Sequence, residues 1–291
     1  MPFVFIYVAF NVLKGACSKK ISRSVETLGE NINISIFRSL ICVILGFGIF
    51  LASGNGLSMS GTGFLICAAA GVMTALSYIV WICALRTDAY VLASASNNSS
   101  FILVCLFGLL FFGESFSVFK GLATLLILLA IYFMVRYQTN KISRLCAKDY
   151  LVLFLVFLTN GLSLATQKWF TYTLPDTPKS LFTLYSFIFS LVFLFLMRPL
   201  FKTKKSARVQ ITGIKKLIPI LIPIGIAQYA SVYFQTLASA SLDAVVLYPV
   251  SSALSLVGGT LMALAVFKEK PTRDTVIGII LLFSALVLSK Y

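Results

Sequence analysis

The stretch ALRTDAYVLASASNN, residues 84–98, sets Arg86 and Asp88 into a chain that is otherwise apolar for long distances on either side. Further on, SASLDAVVLYPVSS, residues 239–252, repeats its pattern at an offset of 155 residues (88 to 243). Asp88 falls on Asp243, Ala89 on Ala244, Val91 on Val246, Leu92 on Leu247 and Ser96 on Ser251. The same offset carries Glu114 onto Glu269. Matched Leu or Val means little in so apolar a chain. Two matched acids mean more, because the 291 residues hold only 9 Asp and Glu.

Around this stretch lie long apolar runs. Hydrophobic residues make up 59% of the chain and charged residues 11%, against about 25% charged in soluble domains. Too few charges remain to cover a water-facing surface, so the sequence predicts an integral membrane protein. Runs long enough for a helical span occur at 3–22, 33–53, 62–85, 90–112, 116–137, 149–172, 180–197, 216–238, 241–266 and 274–290. They lack the two-residue alternation of a membrane barrel. The N-terminal run has no basic segment ahead of it, and Lys14 sits where a cleavage site would fall, so it reads as a retained span.

Ten runs and one duplication give the architecture. The fold class predicted is an all-α integral membrane protein of ten transmembrane helices, built as two repeats at residues 1–140 and 149–291. Five helices is an odd number, so the second repeat enters the membrane upside down. Inverted repeats of this kind house substrate sites near the midplane, between the halves. The long connection is expected at 198–216.

The net charge of +15 does not read as a nucleic-acid surface, since the basic residues gather in short connections. They concentrate on one side, in the loops after runs 1, 3, 5, 7 and 9, against Lys120, Lys168, Lys179 and Lys290 on the other. By the positive-inside rule both termini then lie outside. There is no histidine, which removes His-based zinc sites and triads. The 6 cysteines show no CxxC pairing and read as small buried hydrophobes. No acid–base pair is in view, so neither catalysis, a metal nor a cofactor is predicted.

The candidate binding residues are the polar side chains inside spans. Lys14 is read as the strongly basic residue well inside a run. Its bland reading, the favoured one, is snorkelling toward Lys19 and Lys20; its sharper reading is a cavity cation for a carboxylate or phosphate. Thr74, Tyr78 and Trp81 share a helical face, as do Gln228, Ser231 and Gln235. These could line a cavity or bond between helices. Asn11, Ser94, Asn97, Asn160, Tyr248 and Ser251 complete the substrate-binding set, with Asn98 beside them. Asp88 and Asp243 read as turn and N-cap residues, and Glu114 and Glu269 as boundary or pairing groups. Gly71 and Gly258–Gly259 read as sites of close helix contact.

Three further stretches carry a family resemblance: IFRSL at 36–40, the run from ALRTDAYVLAS to LLFFGES at 84–115, and TLASASLDAVVLYPVSS with VFKEKPTRDTVIGIILLFSALVL at 236–288. In order and spacing the whole chain resembles the EamA type of the drug/metabolite transporter superfamily. Pro249 departs from the repeat, with Ser94 in the equivalent place. The resemblance implies a small-solute exporter, exchanger or facilitator of the cell (plasma or inner) membrane, with a central cavity between its halves. It also implies cytoplasmic termini, opposite to the charge count. The expected partners are a small organic solute, such as an amino acid or related metabolite, and membrane lipid, with a homodimer left open. The alternative functions are a flippase for lipid-linked intermediates and a multidrug exporter.

Overall fold

The computed structural model describes the backbone of residues 2–288 apart from 23, 26, 55, 87–89, 115–116, 140–145, 202–205 and 267–272. It describes their side chains apart from those of 90–91, 134–139, 206–216, 263–266, 275 and 286. The described residues form α-helices and contain no strand. The helices are α1 (Pro2–Ser22), α2 (Leu28–Ser53), α3 (Gly61–Leu85), α4 (Tyr90–Ser99), α5 (Phe101–Phe111), α6 (Val118–Thr139), α7 (Ala147–Thr173), α8 (Lys179–Met197), α9 (Ser206–Ser239), α10 (Ala244–Val266) and α11 (Arg273–Leu288). A short 3₁₀ turn, Arg198–Phe201, follows α8.

Among the described residues, seven segments are long and apolar enough to cross a bilayer: α2, α3, Leu92–Phe111, α7, Lys179–Phe201, Leu217–Ser239 and Ala244–Met262. Shorter apolar stretches lie in α6 (Val118–Phe133) and α11 (Val276–Ala285). The protein is a multi-pass, all-α membrane protein. Its surface agrees: Leu51 and Val118 are each 75% exposed, while Arg38, Gln228 and Gln235 are buried. Apolar side chains outside and polar ones inside suit a lipid solvent, in which unpartnered polar groups must find partners within the protein.

Local chemistry sets the helix ends. At the start of α2, Glu30 N donates to Thr27 Oγ1 at 3.2 Å and Thr27 N donates to Glu30 Oε2 at 3.3 Å, a reciprocal capping box that satisfies two otherwise orphaned donors. The helix stops at Gly54, whose φ of 63° lies in the left-handed region open to glycine. Ser60 caps α3, accepting from Gly63 N at 3.2 Å. Two departures from the hydropathy reading stand out. Helix α9 starts at Ser206, inside the expected connection, because an apolar run marks where lipid begins rather than where a helix begins. The run 90–112 divides into α4 and α5 at Ser100.

Packing pairs early helices with late ones. Helix α1 lies against α9 and α10; α3 against α7 and α8; α2 against α8 and α9; α7 against α4 and α5; α5 also against α10; and α6 against α11. Small residues allow some of these approaches. A Cβ at Gly71 would lie 2.5 Å from Phe189 Cβ and 2.6 Å from Ser186 O, and one at Gly258 would lie 2.7 Å from Val12 Cγ2. Gly259 instead meets nothing within 4 Å. The largest apolar cluster joins α4, α5, α6, α10 and α11 around Phe101, Val104, Ile127 and Tyr248.

Candidate functional site

A cavity of about 130 Å³ lies among α1, α2, α3, α4, α7, α8, α9 and α10. Helix α1 contributes Tyr7, Asn11, Lys14 and Gly15, and α3 contributes Thr74, Ser77, Tyr78 and Trp81. From α4 come Ser94, Asn97 and Asn98; from α7 come Asn160, Ser163 and Gln167; from α9 come Gln228, Ser231 and Gln235. Arg38 of α2, Ser186 of α8, and Ser255 and Gly259 of α10 close the ring.

Two cations face this space. Arg38 is 3% exposed. Its Nη2 donates to Gln228 Oε1, and its Cζ stands 4.1 Å from the Tyr78 ring centroid, a cation–π contact that fixes the guanidinium in place. Lys14 sits within electrostatic reach of Arg38. Among the described residues no carboxylate lines the cavity, so the two charges stand without a countercharge. Several buried polar atoms of the wall have no hydrogen-bond partner in the protein: Arg38 Nε, Tyr78 OH, Ser186 Oγ and Gln167 Oε1. A buried polar group left unpaired costs about 1–3 kcal/mol. A wall carrying several of them is poised to bind polar matter.

The break in the α4–α5 rod belongs to the same site. Asn160 Nδ2 donates to Asn97 O at 3.0 Å and to Ser100 Oγ at 2.5 Å. Ser100 Oγ also donates to Asn97 O at 2.5 Å. An asparagine of α7 thus satisfies a carbonyl at the discontinuity. Interrupted helices of this kind are tolerated at membrane depth where protein or a cavity surrounds them. Elsewhere on the wall, Asn11 Nδ2 donates to Ser255 Oγ at 3.1 Å, and Thr74 Oγ1 lies 3.2 Å from Ser163 Oγ. Gln167 Nε2 donates to Thr236 Oγ1 at 2.7 Å and Val232 O at 3.1 Å.

Of the residues singled out from the sequence, Asn11, Lys14, Thr74, Tyr78, Trp81, Ser94, Asn97, Asn160, Gln228, Ser231 and Gln235 all line this one cavity. Tyr248 and Ser251 do not line it. Tyr248 is fully buried, its OH donating to Leu164 O at 3.3 Å, and Ser251 Oγ donates to Tyr248 O at 3.1 Å. The α10 residues at the cavity are Ser255 and Gly259, on the face of Ser251 but one and two turns further along, at about 5.4 Å per turn. The sequence reading found the face and missed the depth.

Lys14 is not alone as a cation inside a helix. Arg38 and Lys168 are both buried. Lys168 Nζ lies 3.2 Å from Glu114 Oε1 and donates to Leu242 O at 2.8 Å and Ser239 O at 3.3 Å. Glu114 in turn accepts from Ala244 N at 2.8 Å and Val245 N at 3.1 Å. The cap of α10 is therefore Glu114, where the negative carboxylate meets the positive helix end. The side chain of Asp243 is 55% exposed and faces Lys120 at 3.8 Å, which corrects its reading as the capping side chain. Asp88 and Glu269 lie outside the described residues.

No family model and no curated protein matches the chain. A solved crystal structure does: it aligns over 100% of this chain and 98% of its own, with a TM-score of 0.73 at 15% sequence identity. At that identity the likeness shows the fold alone.

Proposed function

We propose that the protein is a secondary carrier of the cell membrane that moves a small organic solute, such as an amino acid or a related metabolite, by alternating access. Its spans are α1, α2, α3, the α4–α5 rod and α6 in one half, and α7 to α11 in an inverted second half. The resemblance to EamA-type drug/metabolite transporters reflects this plan. The observation that carries the reading is the cavity: a polar, doubly cationic space lined by α1–α4 and α7–α10 inside a lipid-facing molecule. The packing supports the repeat. Exchanging each helix with its counterpart turns the α1–α9 contact into α7–α3, and α3–α8 into α9–α2, and all four contacts occur. A cavity of about 130 Å³ favours a small solute over a drug or a lipid-linked head group.

The test is counterflow in proteoliposomes. Vesicles are preloaded in turn with unlabelled amino acids, hydroxy acids and oxo acids, and uptake of the labelled solute is followed. Saturable counterflow of at least one solute is expected, abolished by Ser231→Trp, which fills the space. No counterflow for any of them, or counterflow that Ser231→Trp leaves unchanged, would overturn the carrier reading.

A further inference from the structure

Three features of the cavity point the same way. The first is charge. Lys14 and Arg38 face the space and no carboxylate among the described residues joins them. In a low-dielectric interior such a pair attracts an anion and repels an ammonium group strongly. The second is hydrogen-bonding sense. Arg38 Nε and Tyr78 OH are buried and unpartnered, and each has a proton to donate. Unsatisfied protons beside a fixed positive charge suit an oxyanion. The third is size. The 130 Å³ is close to the roughly 150 Å³ apolar cavity that accepts benzene, which suits an occupant of about six to eight heavy atoms.

From these we infer that the solute is a compact organic anion without an ammonium group, a short hydroxy or oxo acid, seated with its carboxylate between Arg38 and Lys14. The inference rests on the carrier reading for its setting and, among the small organic solutes that reading admits, selects the related metabolites that lack an amine over the amino acids themselves. Arg38 is the oriented partner, held by Gln228 and Tyr78, and presents a planar fork suited to a carboxylate. Lys14 is a point charge on a flexible stem. At the other end the unpartnered Gln167 Oε1 can accept from a hydroxyl, and the Asn97 amide, also on the wall, carries both a donor and an acceptor.

The experiment is calorimetric titration and thermal shift of the purified full chain with lactate, pyruvate, alanine and choline as probes. Lactate or pyruvate is expected to bind and raise the melting temperature, and alanine and choline to do neither. Lys14→Gln is expected to weaken the acid at least tenfold, in line with the loss of a charge-assisted hydrogen bond, while Lys14→Arg stays within a few-fold. Lys14 carries the test because it lines the cavity, whereas Arg38 also ties α2 to α9. Binding of alanine or choline as tight as that of either acid, binding of neither acid, or a folded Lys14→Gln protein with unchanged affinity would each overturn the inference. Its failure separates from that of the carrier reading: alanine counterflow without acid binding sinks only the inference. Acid binding without counterflow of any solute sinks only the carrier.

Discussion

Removing the Lys168 ammonium tests the buried network that joins the turn after α5 to α7 and to the start of α10. The side chains of Lys168 and Glu114 are 10% and 7% exposed and 3.2 Å apart. At an effective dielectric of about 20 their attraction is about 5 kcal/mol. Much of that offsets the cost of burying both ions. Lys168→Met removes the attraction and leaves the Glu114 carboxylate buried with only the Ala244 and Val245 N–H groups to neutralise it. Breaking a buried pair from one side costs about 3–5 kcal/mol. The second change, Glu114→Gln, keeps an oxygen for the N-terminus of α10 and removes the charge. The double variant Lys168→Met with Glu114→Gln then buries no unpaired ion. It is expected to lose less than the sum of the two single losses, by a coupling of about 2 kcal/mol in the cycle. Melting of the four proteins in one detergent, followed by intrinsic fluorescence, reads this as a drop in melting temperature for the double variant that is smaller than the two single drops added together. If the double variant melts as low as the sum of the two single losses requires, the pair does not interact and the reasoning fails.

Further outcomes follow from single contacts. Gly71→Ala places a methyl 2.5 Å from Phe189 Cβ and 2.6 Å from a backbone oxygen; overpacking of about 1–3 kcal/mol should appear as a lowered melting temperature. Gly48→Ala meets nothing within 4 Å inside α2, so it should be neutral or stabilise by up to about 1 kcal/mol; a drop of the size seen at Gly71 would contradict the packing described. Thr27→Ala loses the cap of α2 and about 1 kcal/mol, and hydrogen exchange should show the first turn of that helix opening sooner. Asn160→Leu leaves Asn97 O and Ser100 Oγ without their α7 donor. Exchange at the start of α5 should rise several-fold while α8 stays protected.

Much of this was legible before any fold was known. Transfer of a side chain into lipid is a local, nearly additive property, so α2, α3, α8 and α10 could be placed within a few residues from hydropathy. Helical spacing alone grouped Thr74 with Tyr78 and Gln228 with Gln235, since residues three or four apart share a face. Hydropathy alone does not single out Arg38, because the apolar run opens at residue 33 and leaves it within about a turn and a half of the run's edge. The signal that would have found it was the Thr27-x-x-Glu30 capping box. With α2 starting at Leu28, Arg38 lies ten residues in, about 15 Å along the axis and so near the middle of a core about 30 Å thick.

The sequence by itself determined the solvent, the helices and which faces of those helices are polar, because each depends on residues close together in the chain. The tertiary structure decided which polar faces meet, and at what depth. Lys14 joins Arg38 in one cavity because α1 and α2 both pack against α9. Lys168 is neutralised by Glu114 rather than by solvent because the turn after α5 reaches the start of α10. Ser255 lines the cavity where Ser251 does not, by a single turn of α10. Such choices rest on long-range packing, and a shift of a few ångströms between helices changes a countercharge without changing any local pattern.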